Sequence, residues 1–150
     1  MRYLFFDTSA LVKRYYEEDG SEKVDEMIDD RESRVIITSL SVIETTSAFR
    51  RKYNRGGIEE DRINQLLSAF FEEALEDFLI LPLEESLTEY SFSLILTEDL
   101  RTLDSLQLSA ALTVNREDLW FVSADRKLNR VAEDQGIRTQ NPQKKDSTSQ

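Results

Sequence analysis

Four short apolar runs set the frame of this sequence: YLFF at 3–6, the β-branched RVIITS at 34–39, FLILPL at 78–83 and LWFVS at 119–123. Each has strand length and is bounded by polar or turn-forming residues. Between them the apolar positions recur at helical spacing. The longest such segment, Glu59 to Phe78, carries Ile63, Leu66, Leu67, Phe70, Phe71, Ala74, Leu75 and Phe78 on one amphipathic stripe. Strands that alternate with helices pair through crossovers, so the pattern predicts an α/β fold: a three-layer α/β/α arrangement around a central parallel sheet.

The remaining segments fit that frame. SALVKRYYEED (9–19) and SEKVDEMIDDRE (21–32) read as helices with Gly20 as the stop between them. Ser41 to Tyr53 reads as a helix ended by Asn54-Arg55-Gly56-Gly57, followed later by helices at 84–97, Leu103 to Val114 and Arg126 to Glu133. Gly136 to Thr139 reads as a final short strand. One domain over 1–139 is expected, and residues 140–150, which contain NPQKKDSTSQ and lack apolar side chains, are expected to be a disordered tail.

Composition narrows the chemistry sharply. The chain has no cysteine and no histidine, which excludes disulfides, thiolate nucleophiles, imidazole catalysis and most zinc sites. Carboxylates, hydroxyls, amides, Lys and Arg remain, and oxygen donors of this kind suit hard ions such as Mg²⁺ or Mn²⁺. No apolar run approaches the roughly 20 residues of a membrane span. A cytoplasmic protein without a membrane partner is expected.

Carboxylates recur where strands give way to helices. Asp7 follows YLFF, Glu44 follows RVIITS, Asp125 follows LWFVS, and Asp104 sits in the first turn of RTLDSLQLSAAL. In open parallel sheets these junctions share one edge, where ligands bind. Each acid also has a purely structural reading. Asp7 and Asp125 suit helix N-caps, Ser41 to Glu44 fits a capping box, and Asp104 suits the positive end of a helix dipole. Glu44 and Asp104 nevertheless lie beside apolar or small residues, and several carboxylates packed together repel one another unless a cation offsets their charge. A net charge of −11 argues against polyanion binding as a whole, but RRKYNR at 50–55 and KRYY at 13–16 are local basic clusters. They read equally as solvated helix ends.

The segments DTSALVKRYYEEDGSE (7–22), ITSLSVIETTSAFRRK (37–52), LRTLDSLQLSAAL (100–112) and FVSADRKL (121–128) resemble, in order and spacing, the motifs of the PIN-domain family, and within it the VapC-type toxin ribonucleases. The resemblance implies a PIN-like fold over residues 1–139 and an endoribonuclease dependent on Mg²⁺ or Mn²⁺, the toxin of a toxin–antitoxin pair. It implies Asp7, Glu44, Asp104 and Asp125 as catalytic metal ligands, with Thr8, Ser9 and Ser123 as supporting hydroxyls. Lys13, Arg14, Arg50, Arg51 and Lys52 become candidates for RNA phosphate contacts. RNA, an antitoxin protein and a second copy of the chain are the implied partners. Gln107 stands where relatives often carry histidine.

Two other classes remain open. A phosphatase of the haloacid dehalogenase type would want a second aspartate two residues after Asp7, where this chain has Ser9. A PIN-like protein-binding module without nuclease activity, or an RNA-processing PIN nuclease outside a toxin–antitoxin system, would keep the same fold.

Overall fold

The computed structural model describes residues 1–143. Five parallel strands, β1 (Arg2–Phe6), β2 (Ser33–Thr38), β3 (Leu79–Leu81), β4 (Leu119–Val122) and β5 (Arg138–Gln140), form one sheet in the order β3-β2-β1-β4-β5. β1 lies at the centre, with Phe5 beside Ile36 of β2 and beside Phe121 of β4. The helices are α1 (Thr8–Leu11), α2 (Ser21–Asp29), α3 (Ser39–Asn54), α4 (Glu60–Asp77), α5 (Leu87–Glu98), α6 (Thr102–Val114) and α7 (Arg126–Asp134).

Period-two alternation along the strands divides the core between the two sheet faces. Leu4, Phe6, Val35, Ile37 and Val122 pack with Ala10 and Leu11 of α1, Val24 and Met27 of α2, and Phe70 and Ala74 of α4. Phe5, Ile36, Leu119 and Phe121 face the other way, against Leu94 of α5, Leu108 and Ala111 of α6, and Leu128, Val131 and Ala132 of α7. Both faces are therefore covered, as a parallel sheet requires. The expected three layers are present. A smaller cluster of Val12, Phe49, Ile63 and Leu66 ties α3 to α4.

The first helix departs from expectation. It ends at Leu11, passes into a 3-10 turn at Val12–Arg14, and the chain then runs without helix to Gly20. Tertiary ion pairs account for the break. Lys13, only 4% exposed, bonds to Glu18 at 3.1 Å. A continuous helix would place those residues, five apart, on different faces. Arg14 reaches Glu73 through two bonds at 3.0 and 2.8 Å, Asp25 at 3.0 Å and Asp29 at 2.8 Å. Its guanidinium is held above its ordinary pKa, chiefly by the Glu73 bonds.

Elsewhere the boundaries shift by a few residues. β3 is shorter than FLILPL because Pro82 supplies no N–H for the ladder, and α5 starts at Leu87 rather than 84. The final strand occupies 138–140, including the first residue of the expected tail; residues 144–150 of that tail lie outside the described residues.

Gly20 enters α2 at φ +93°, and a Cβ there would stand 3.1 Å from the Pro142 carbonyl. Positive φ costs an L-residue about 1–2 kcal/mol before that clash is counted. Gly20→Ala is expected to lower stability by at least about 1 kcal/mol, read from the denaturation midpoint.

Candidate active site

The site is assembled where β1, β2 and β4 end. Asp7 leaves β1 with extended backbone and caps α1, its Oδ1 accepting from the Ala10 N–H at 3.1 Å. The Ser9 hydroxyl donates to the same oxygen at 2.7 Å, and the Ser123 hydroxyl donates to Oδ2 at 2.7 Å. Asp7 is thus an N-cap with both carboxylate oxygens engaged. Asp7 is 4% exposed. Burial pushes its carboxyl up from 3.8 to about 6; the bonds from Ser123, Ser9 and the Ala10 N–H pull it down, while the charge of Asp104 adds a smaller upward push.

Around Asp7 the hydroxyls form a small scaffold. Ser9 Oγ accepts from the Ala124 N–H at 3.0 Å, and Ser123 Oγ accepts from the Asp125 N–H at 3.0 Å. Asn129 of α7 donates to the Ser123 carbonyl at 2.8 Å. The ends of β1 and β4 are thereby joined through the side chains that hold Asp7.

Glu44 lies one turn inside α3 and makes no capping box. The helix begins at Ser39 with Thr38 as its cap, Thr38 Oγ1 accepting from the Ser41 N–H at 3.2 Å. Glu44 Oε1 instead accepts from the Thr8 hydroxyl and from Gln107 Nε2, each at 2.9 Å. Among the described residues no hydrogen bond reaches Oε2.

Asp104 does not cap α6 either. Arg101 occupies the cap position without a side-chain cap bond, and its guanidinium meets Asp104 Oδ2 at 3.3 Å. Asp125 does cap α7, through Oδ1 and the Leu128 N–H at 3.1 Å.

All four acids line one cavity of about 740 Å³, together with Thr8, Ser9, Gln107, Arg51 and Arg101. Asp7, Ser9 and Ser123 are hydrogen-bonded to one another, while Thr8 is bonded to Glu44. Among the described residues no group of three carboxylates is close enough to hold one ion as the side chains stand. The cavity gathers the acids around a space rather than in mutual contact.

The basic residues divide. Arg51 lines the cavity and donates to Ser47 Oγ at 2.9 Å. Arg50 is exposed and lies over the Tyr53 ring at 4.6 Å. Lys52 bonds to Glu18 at 3.2 Å and lies over Tyr16 at 4.0 Å. Lys13 and Arg14 sit outside the cavity lining, engaged by the carboxylates described above.

Gln107 and Arg101 were not singled out as site residues by sequence. Gln107 is buried at 2% exposure and joins three elements: its Nε2 donates to Ser41 Oγ at 2.8 Å as well as to Glu44, and its Oε1 accepts from Thr38 Oγ1 at 3.2 Å. A legible signal existed, since an amide three residues after Asp104 falls on the same face of the helix. Gln107→Leu keeps the volume but leaves these buried groups without their amide partner. It is expected to lower stability by about 1–3 kcal/mol in urea denaturation.

The model of the family described as PIN domain matches residues 4–134. No curated protein matches by sequence. Among solved structures the chain is similar to one in FitAB bound to an IR36 DNA fragment, with 15% identity, TM-score 0.71, and coverage of 95% of this chain and 97% of that one. It is similar also to one in VapBC2 from Rickettsia felis bound to a DNA fragment from their promoter, with 16% identity, TM-score 0.65 and coverage of 93% and 98%. A third likeness is to a toxin–antitoxin complex from Klebsiella pneumoniae, with 18% identity, TM-score 0.60 and coverage of 93% and 97%. At these identities the likeness is one of fold. With the family model spanning most of its length and a five-stranded parallel sheet placing its acids at one edge, the chain belongs to the PIN-domain family.

Proposed function

We propose that the chain is an Mg²⁺- or Mn²⁺-dependent endoribonuclease that hydrolyses RNA phosphodiester bonds, acting in the cytoplasm as the toxin of a toxin–antitoxin pair. The observation that carries this reading is the single cavity lined by Asp7, Glu44, Asp104 and Asp125 at the carboxyl edge of the sheet. The donor set fits a hard cation: it is made of oxygens alone, and the burial that raises the Asp7 pKa is a cost that a nearby positive charge would relieve.

The four acids would hold the ion. When bound, such an ion lowers the pKa of water and offsets charge that builds on the phosphate during in-line displacement. The chain's own residues do the rest. Ser9 and Ser123 hold both oxygens of Asp7, while Thr8 and Gln107 hold one oxygen of Glu44, a residue that lines the cavity. Arg51 and Arg101 bring positive charge to the cavity for the substrate phosphate, and Arg50 extends that charge along the end of α3. No protein nucleophile is required.

Toxin–antitoxin assemblies among the structural neighbours support an antitoxin partner. Exposed Phe71 and Leu75 on α4, and Phe92 and Leu96 on α5, offer apolar surface for that partner and for a second copy of the chain. Among the described residues no helix is long and apolar enough to cross a membrane.

A PIN-fold binding module without nuclease activity is the competing reading, favoured by the spacing between the carboxylates. The two part in a simple assay. Purified chain, free of any partner, is incubated with structured and single-stranded RNAs in Mg²⁺ or Mn²⁺ and in chelator. Fragmentation with the ion alone is expected; intact RNA under every condition would favour the binding module.

A further inference from the structure

We propose that a second cavity, bordering α7, receives the phosphate of a nucleotide flanking the scissile bond, with Arg126 and Arg130 as its phosphate ligands. The proposal rests on the nuclease reading and extends its substrate path. The cavity measures about 350 Å³ and is lined by Arg126, Asn129, Arg130 and Glu133 of α7, with Thr139 and Asn141 from the following strand and its end.

Charge is the first observation. Arg126 and Arg130 stand one turn apart on one helix face, both exposed. Neither has a carboxylate partner among the described residues, whereas Lys127 between them is bonded to the Asp99 carbonyl at 2.7 Å. Glu133, the acid of this cavity, accepts from the Thr139 hydroxyl. Two guanidiniums against one carboxylate leave local positive charge on a chain of net charge −11. Guanidiniums bind phosphate oxygens through paired N–H donors, so a phosphodiester is the ligand class this geometry suits.

Asn129 is the second observation. Its side chain is 7% exposed, and the bond from Nδ2 to the Ser123 carbonyl fixes the orientation of the amide. Its Oδ1 is buried without a partner. Such orphaned acceptors are rare. Asn129 lines the cavity, so this orphaned oxygen belongs to its wall.

Continuity with the acids is the third. Asp125 lines the larger cavity and Arg126, the next residue, lines this one. Asn129 also supports Ser123, which holds Asp7. A strand bound at the acids and continuing past the start of α7 therefore meets Arg126 first and Arg130 one turn later. The arginines of a third cavity offer no such reception: Arg116 pairs with Asp118 and lies over Tyr3 at 4.3 Å, and Arg138 lies over Trp120 at 5.6 Å.

The test uses the full chain carrying Glu44→Gln, in Mg²⁺, with two fluorescent single-stranded RNAs, a trimer and a 12-mer. Adding Arg126→Ala with Arg130→Ala should weaken the 12-mer about tenfold or more and leave the trimer within about twofold. It should also lower the log–log salt slope for the 12-mer by roughly 1.4, the release expected from two single-strand phosphates. Both positions are exposed, and unchanged melting would confirm that the variant folds. A 12-mer affinity and salt slope unaffected by the double substitution would overturn the second site alone. Failure of the parent chain to bind either RNA would overturn it together with the nuclease reading.

Discussion

Glu44→Gln is expected to abolish RNA cleavage, by at least about a hundredfold, while leaving RNA binding in place. Loss of a residue that merely orients a metal ligand typically costs 10–100-fold, so loss of a ligand's own charge costs at least that much. The fold should tolerate the change. Glu44 Oε1 accepts from Thr8 and from Gln107, and the carbonyl of a glutamine can accept both bonds. The α3 cap is Thr38 and is untouched. Cleavage is followed on a labelled RNA in Mg²⁺, with binding measured by fluorescence anisotropy. A variant that still cuts at wild-type rate would remove Glu44 from the chemistry.

Asp7→Asn is expected to make the metal-free protein more stable at pH 7.5. Burial pushes the folded carboxyl to about 6 from an ordinary value of 3.8, so the native state holds its proton more tightly than the unfolded chain does. Its contribution therefore destabilises the fold progressively as pH rises from about 3.8, and the full penalty is present above about 6. A rise from 3.8 to about 6 corresponds to roughly 3 kcal/mol at most. Part of that is lost, because one NH₂ group replaces an oxygen that accepts from Ser123. A net gain on the order of 1–2 kcal/mol remains, or about 2–8 °C in melting temperature for a chain of this size. The gain should shrink as the pH approaches 4. Melting in chelator at pH 7.5 and at pH 4.5 checks both points; a destabilised variant at pH 7.5 would mean that Asp7 acts as a cap alone.

Much of the fold was legible because its signals are local. RVIITS and LWFVS are β-branched or aromatic runs between breakers, and the stripe from Ile63 to Phe78 admits one period. Asp7 and Asp125 were legible as junction residues for the same reason. What the sequence hid depends on distant partners. SALVKRYYEED reads as a helix, yet Lys13 turns to Glu18 and Arg14 to Glu73, a residue 59 positions away. Ser41 and Glu44 satisfy the local rule for a capping box, but Thr38 takes the cap, and Gln107, 63 positions from Glu44, takes the carboxylate. Arg101 and Asp104, three residues apart, were a pair that local spacing could have shown.

The central claim, that the four acids of one cavity hold a divalent cation, is tested most directly by calorimetric titration of the partner-free protein with Mn²⁺, beside Asp7→Asn with Asp104→Asn. The wild type should bind the ion, and at a concentration 100 times its dissociation constant should gain about 2.7 kcal/mol of stability by mass action. The double variant should lose both the binding heat and the stabilisation. Equal Mn²⁺ affinity in the two proteins, or no binding by the wild type, would contradict the account.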